Sequence, residues 1–345
     1  MNGIEVRVYS SAFKLQGVID EFSSLIWIRR YQSAGEFELH TPYSPDSKSI
    51  LVPENLIQRF DGDTPLEAGV IESLEMDADN IVVKGRFLES YLDRRLIYDT
   101  TYYTGNTEDN LRSIITNMTA IPKLELGTDH GLTETLEFQA TYKSVLNIIE
   151  KACRATTLGF RIKPDFNVRK MYFEVYKGTD RTAANAPKVI FSEMYDNLMD
   201  EKYTYDSTNY KTKCYVTQII NDVRKAYSTG SGLGLNLREM HLATNVDVDG
   251  RTAAEIKASM QRQGQRALEG RIISETFTFA TDAETPFIYR TDYDIGDVVL
   301  IKKIAWNIEL VLRITEIEED YQDGGREIVI TCGSPLPEIM DFEEG

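Results

Sequence analysis

The chain has 345 residues, 42% hydrophobic and 27% charged, enough for about two or three domains with a substantial core. Its 38 Lys plus Arg against 55 Asp plus Glu give a formal net charge of −17. That balance argues against a surface built to grip phosphates or an anionic membrane, since both rely on clustered cations.

The start, MNGIEVRVYS, has neither a basic n-region nor an apolar h-region, so no signal peptide is expected. No apolar run approaches the length of a membrane span, and a soluble chain is expected. Cys153, Cys214 and Cys332 are odd in number and far apart, and read as small buried hydrophobes of a protein made in a reducing compartment. With 19 Tyr and 14 Phe, no long low-complexity tract and no heptads, the composition argues against disorder and against a coiled coil.

From the first residues the pattern is period-2 alternation, the mark of half-buried strands. Ile4, Val6 and Val8 alternate with Glu5, Arg7 and Tyr9, and Phe37 and Leu39 with Glu36, Glu38 and His40. Ile81, Val83 and Phe87 face one way, Lys84 and Arg86 the other, and the polar stretch from Asp77 to Asn80 sits where a hairpin turn belongs. Two amphipathic helices follow. Leu111, Ile114, Ile115 and Met118, then Val145, Ile148, Ile149 and Ala152, keep the i, i+3, i+4, i+7 spacing. STGSGLGLN, around Gly230 to Gly234, reads as a mobile loop between two strands. A third helix runs from about Thr252 to Leu268, with Ala253, Ile256, Met260 and Ala267 on one side and a capping box from Thr252 to Glu255 at its start. Leu310, Leu312 and Ile314 then oppose Val311, Arg313 and Thr315, and a turn from Asp323 to Gly325 leads into Ile328, Ile330 and Cys332.

The strands read as antiparallel hairpins rather than βαβ units, and the fold class is α+β, β-dominant. Three regions are expected. Residues 1–95 are β-rich and open to completion by later strands. Residues 96–188 form an α/β module with two helices. Residues 189–345 are again β-rich, with one helix at about 252–268 and an acidic end. In that end, Glu316, Glu318, Glu319, Asp320, Asp323, Glu327, Glu338, Asp341, Glu343 and Glu344 stand against Arg326 alone.

No catalytic constellation stands out. His40, His130 and His241 have no paired spacing, and there is no CxxC or HExxH, so no metal is expected. Asp247, Asp249 and Gly250 lack the central Gly and terminal Glu of a calcium loop and read as a turn into the capped helix. Gly230, Gly232 and Gly234 are followed by a strand-like segment, Leu237 to Thr244, rather than by the helix a phosphate cradle needs. There is no GxSxG elbow, and carboxylate pairs such as Asp292 and Asp294 carry little information among 55 acids. No cofactor is expected.

Read in order, several segments carry a more specific signal: Val18 to Glu21; SLIWIRRYQSAGEFELHTP, with Trp27, Arg29, Arg30, Tyr31, Gly35, Phe37 and Leu39; FSEMYDNL from Phe191; KYTYDSTNYKT from Lys202; REMHLATN from Arg238; YDIGDVVLI from Tyr293; and RITEIEEDYQDGG from Arg313. This ordered set, from about Ile4 to Gly333, resembles the tail-hub family of siphophage and prophage tail proteins, related in fold to the myophage baseplate hub. One segment departs from the family pattern. After the strand beginning at Lys213, where a Gly-Glu-rich turn followed by Arg is usual, this chain has QIINDVRKAYSTGSGLGLN.

The resemblance implies a homotrimer with two tail-tube-like antiparallel β-barrel domains per subunit and an inserted α/β module. Three copies would form a pseudo-sixfold ring at the virion tail tip, assembled in the bacterial host cytoplasm. The implied partners are other copies of the chain and neighbouring tail proteins: a distal tail or tube protein, the tape measure, and tip or fibre proteins. DNA would meet the chain only in transit through the channel, where an acidic lining would repel phosphate, and no membrane insertion is implied. Trp27, Arg29, Arg30, Tyr31, Gly35, Phe37, Gly296 and Asp297 are the motif positions expected to serve packing or subunit contact, with no catalytic role. Gly35 and Gly296 are expected in a tight hairpin or bulge. The sequence stops at Gly345 without the long C-terminal extension that carries lytic or fibre domains in some tail proteins, so no lytic role is expected. Two other classes stay open: a tail-associated cell-wall hydrolase, and a carbohydrate-binding tail-tip module using the tyrosines of Tyr98 to Tyr103 and Tyr203 to Tyr210.

Overall fold

The computed structural model describes residues 4–60, 67–118, 120–184, 187–281, 286–322 and 325–334. Two compact units result, one from Met1–Lys202 and Thr278–Cys332, the other from Tyr203–Phe277 and Gly333–Gly345. The boundaries expected near 95 and 188 both fall inside the first unit.

The first unit begins with β1 (Glu5–Tyr9), β2 (Leu15–Ile19), β3 (Ser24–Arg30), β4 (Glu36–Pro42), the short helix α1 (Pro45–Ile50), β5 (Leu56–Phe60), β6 (Gly69–Val70), β7 (Ser73–Met76) and β8 (Asn80–Arg86). Alternation places Leu25, Trp27 and Arg29 of β3, and Phe37, Leu39 and Thr41 of β4, on one buried face. There Trp27 lies 4.6 Å from Phe87 and 6.0 Å from Phe37, ring centre to ring centre. Burying each such ring contributes on the order of 2–3 kcal/mol. The expected hairpin turn before β8 forms as read: the Asp77 carboxylate accepts the Asp79 and Asn80 amides, each at 2.8 Å. α1 escaped the sequence reading because it has six residues, too few to show a helical stripe.

Next come β9 (Leu96–Ile97), β10 (Thr101–Tyr103), α2 (Thr107–Met118), β11 (Leu124–Leu126), β12 (Phe138–Ala140), β13 (Lys143–Ser144), α3 (Val145–Thr156), β14 (Gly159–Asp165) and β15 (Lys170–Tyr176). The apolar stripes bury as spaced: Leu111, Ile114 and Ile115 of α2, and Val145, Ile148, Ile149 and Ala152 of α3. Their core is continuous with Tyr9, Leu56, Val70, Leu88 and Leu92. This explains why no compact boundary falls near residue 95: helices with one apolar face take their cover from the preceding sheet. β11 runs parallel to β15, so the module is not made of hairpins alone.

The remaining strands are β16 (Ile190–Ser192), β17 (Met199–Asp206), β18 (Lys213–Ile220), β19 (Val223–Gly230), β20 (Glu239–Ala243), then after α4 (Ala253–Glu269), β21 (Ser274–Thr281), β22 (Val298–Lys303), β23 (Ile308–Gln322) and β24 (Gly325–Ser334). The largest sheet has the order β17-β21-β24-β23-β3-β4-β8-β7, with β22 pairing β23 and β16 pairing β22 in parallel. Thus β23, late in the chain, lies beside β3, with Glu316 opposite Arg30 and Gln322 opposite Ser24. The expected turn at Asp323 and Gly324 lies outside the described residues, although Gln322 and Gly325 on either side are paired. Glu338, Asp341, Glu343 and Glu344 also lie outside them.

The protein is β-dominant with several sheets, but among the described residues none closes into a barrel. The smaller sheet, β2-β1-β5-β6, packs Val6, Val8 and Ile57 against Leu25, Trp27 and Leu39 of the larger, and among the described residues an isolated bridge between Gly69 and Phe87 adds a backbone link, leaving strand edges unpaired within one chain.

In the second unit β18 and β19 form a hairpin whose two-residue turn, Asn221 and Asp222, has φ of 50° and 62°. Two left-handed residues match the twist of the flanking strands. β20 pairs with β18 in parallel, and α4 covers the sheet over Cys214, Val216, Met260 and Leu268. Gly264 permits this close approach, since a Cβ there would meet the Val216 and Thr229 side chains. The capping box is present, with Glu255 accepting the Thr252 amide at 2.8 Å.

Candidate functional site

The motif strand β3 carries the feature that sequence reasoning did not resolve. Arg29 sits in phase with Leu25 and Trp27, so the strand's alternation drives a guanidinium into the interior. It donates to the Tyr289 hydroxyl at 2.7 Å, pairs through Nε with Glu67 at 2.7 Å, and also pairs with Asp294. Tyr289 donates onward to Glu319 at 3.4 Å. Glu319, wholly buried on β23, pairs with Arg59 and with Arg326 at 2.5 Å, and accepts the Tyr321 hydroxyl at 2.7 Å. Arg290 lies 3.4 Å from Glu67 and 3.6 Å from Glu319, joining the two halves.

Charge balance holds this cluster in its ionised form. Burial pushes the Glu319 carboxyl up, but Arg59, Arg290 and Arg326 outweigh it and hold it at about 2. Burial likewise opposes the Arg29 charge, and Glu67, Tyr289 and Asp294 overcome it. Four guanidiniums against three carboxylates, deep between packed strands, form a structural lock rather than a binding cleft. A sequence signal existed for part of it: Arg29 and Glu319 each fall on the apolar phase of their strands. Glu67, Tyr289 and Arg290 lie outside regular alternation and gave none.

The other motif residues fall in three places. Trp27 and Phe37 pack in the core described above. Arg30 points to the opposite face of β3, half-buried between Glu36 at 2.6 Å and Glu316 at 2.7 Å. Tyr31, Gly296 and Asp297 meet at a junction. The Tyr31 hydroxyl donates toward the Thr157 and Tyr176 carbonyls at 3.2 and 3.3 Å and accepts the Gly178 amide at 3.2 Å. Gly296 has φ +92° and faces the Tyr31 ring so closely that a Cβ would collide with it. Asp297 accepts the Thr179 amide and Arg181 Nε, both at 2.7 Å. Gly35 has no left-handed backbone. It is a packing glycine, whose Cβ would meet the Ile28 carbonyl and the Phe87 ring.

Residues read as chemically uncertain have structural partners. Asp292 accepts the Ile288 amide at 2.7 Å, and Asp249 N donates to Asp247 at 3.1 Å in the turn before α4. Among the described residues no group of three or more His, Cys, Asp or Glu could hold a metal, and no helix is long and apolar enough to cross a membrane.

Two surfaces of the first unit remain. The first is the outward face of the large sheet, where the register aligns Glu316, Glu318 and Asp320 of β23 with Glu36 and Glu38 of β4 and Glu327 of β24. Burial and then the neighbouring Glu316 and Asp320 push the Glu318 carboxyl up. The second is apolar. Parallel pairing of β16 with β22 brings the turns that follow them together, tied by Lys303 to Glu193 at 2.7 Å. Met194, Tyr195, Ile304 and Trp306 are exposed there.

The sequence matches the family model described as Siphovirus ReqiPepy6 Gp37-like protein over residues 5–334. The chain belongs to this family. Members of the Gp37-like family are siphovirus tail proteins, so the resemblance read from the sequence and the family match agree. Solved structures share the fold. A tail protein from Neisseria meningitidis MC58 superposes with a TM-score of 0.61 at 13% identity, over 97% of this chain and 99% of that one. The 43 kDa tail protein of prophage MuSo2 from Shewanella oneidensis gives 0.61 at 14% identity, over 97% and 100%. Prophage tail protein gp18 from Listeria monocytogenes EGD-e gives 0.56 at 14% identity, over 97% and 96%. No curated protein matches the sequence.

Proposed function

We propose that this Gp37-like chain is a structural tail protein whose three copies form a hub at the distal end of a tail tube, joining the tube to the tip apparatus. The carrying observation is the end-to-end correspondence with whole prophage tail proteins, 97% of this chain against 99% and 100% of two of them. Three further features support the reading. The open sheet edges suit pairing between copies, which would complete barrel-like walls that a single chain leaves open. The exposed Met194, Tyr195, Ile304 and Trp306 have the composition of interface anchors for a neighbouring tail protein. The acidic outward face of β23, β3 and β4 suits a channel wall from which DNA phosphates are repelled in transit. No reaction is assigned to the chain.

Light scattering over a wide concentration range tests the hub. A mass of three chains, dissociating on dilution, is expected. A single-chain mass throughout, together with absence of the chain from purified tail tips, overturns it.

A further inference from the structure

Two tyrosine-rich stretches were open as sugar platforms, and the structure separates them. In the stretch from Tyr203 to Tyr210, Tyr203 donates to Glu275 at 2.8 Å and Tyr210 lies beneath the Arg238 guanidinium, 5.6 Å from ring centre to charge. Tyr205 alone of the three is largely exposed. In the first stretch Tyr103 is buried but the rings of Tyr98 and Tyr102 are free, as is that of Tyr142 farther along the chain. Tyr98, Tyr102 and Tyr142 are 66%, 65% and 72% exposed, and none makes a hydrogen bond, ring contact or cation contact with the described residues.

The topology gathers these three. β9 pairs with β13, Ile97 opposite Lys143, and β10 pairs with β12, Thr101 opposite Ala140 and Tyr102 opposite Gln139. The intervening segments 98–100 and 141–142 therefore face each other, and the Thr100 and Thr141 hydroxyls lie 3.0 Å apart. The inner side of this ribbon is anchored by buried Ile97, Tyr103 and Ala140, with Tyr103 stacked on Phe138 at 4.8 Å. Tyr98 follows β9 and Tyr102 lies in β10, on either side of a bend at Asp99. Tyr142 has φ +46°, a left-handed backbone that a bulky residue adopts at a cost, and its ring gains no ring contact within the chain to offset it.

We infer that this ribbon is a binding platform for an uncharged oligosaccharide. Phenol rings are rigid, apolar on their faces and polar at the tip, which suits the C–H face of a pyranose ring with hydroxyls at its rim. The rings are interspersed with Thr100, Thr101, Gln139 and Thr141, side chains that exchange hydrogen bonds with sugar hydroxyls. A protein partner would be better served by a continuous apolar patch such as that around Trp306. A nucleic acid or an anionic wall polymer would need a cluster of cations, and the ribbon segments 96–103 and 137–144 carry Lys143 alone against Asp99 and Glu137. The platform belongs to the single chain and stands whether or not three copies assemble.

The test is titration of the full chain with chitotetraose, maltotetraose and cellotetraose, followed by calorimetry and by the tyrosine ring signals in NMR. The wild type is expected to bind at least one saturably. The triple variant Tyr98→Ala, Tyr102→Ala, Tyr142→Ala should bind at least about tenfold more weakly, the equivalent of one modest aromatic contact, with an unchanged melting temperature. Tyr205→Ala, in the other stretch, should bind as the wild type does. Absence of saturable binding to all three sugars at millimolar concentration overturns the inference, as does undiminished binding by the triple variant. A triple variant whose solution mass falls while sugar binding persists would mark the ribbon as a protein interface and overturn it too.

Discussion

Glu318 and Glu319 are neighbours on one strand, yet they occupy opposite chemical environments. Glu319 faces inward, where three arginines hold its carboxyl at about 2. Glu318 faces outward among Glu316 and Asp320, and burial together with these like charges pushes its carboxyl up. A third carboxylate completes the comparison. Glu89 is buried with no ion-pair partner among the described residues: one oxygen accepts the Ile162 amide at 2.7 Å, the other has no partner, and burial outweighs the pull of Arg161 and pushes the carboxyl up to about 7. Burial alone therefore does not set the behaviour of an acid here. What matters is whether a cation is buried with it, because desolvation penalises the charged form and only opposite charge offsets it.

Variants can break this comparison at each point. Glu319→Gln should have the largest effect, roughly 3–5 kcal/mol of lost stability, because Arg59, Arg290 and Arg326 would remain buried without their shared counter-charge. A urea midpoint equal to that of the wild type would sink the account of the inner face. The pH dependence has a definite sign: a depressed carboxyl stabilises above its unfolded value near 4.3 and loses that contribution as pH falls toward about 2.

Glu89→Gln should act in the opposite direction and less strongly. A carboxyl raised to about 7 supports the fold fully below about 4.3, and this support is lost as pH rises through 7. The Gln variant should flatten that slope and be more stable than the wild type at pH 8, by roughly 1–3 kcal/mol. Thermal melts at pH 5 and pH 8 would show it, and a parallel pair of profiles would contradict it. Glu318→Gln should have the smallest effect, a stabilisation of a few tenths of a kcal/mol at neutral pH that fades with added salt. Destabilisation would mean that Glu318 has a favourable partner instead.

Much of the fold was legible in local pattern. The Asp77 turn, the stripes on α2 and α3, and the Thr252–Glu255 box depend on residues within a few positions of one another, so spacing alone carries the information. Gly35 and Gly296 were both read as turn glycines. Only Gly296 has the left-handed backbone, while Gly35 is required by a ring, Phe87, more than fifty positions away. The parallel pairs β11 with β15, β16 with β22 and β18 with β20 were missed, because alternation gives a strand its faces but not its direction or neighbour.

By itself, the sequence determined a β-dominant chain with three long helices, an excess of acid, and an ordered set of motifs that mark a tail protein. Those properties are additive or local, so they survive without knowledge of contacts. The tertiary structure alone decided which acids are locked against arginine and which stand free, that β23 closes against β3 across nearly 300 residues, and that Tyr98 and Tyr102 stay unengaged while Tyr103 beside them is buried. Each of these depends on a partner supplied from far along the chain, and distance in sequence says nothing about which one arrives.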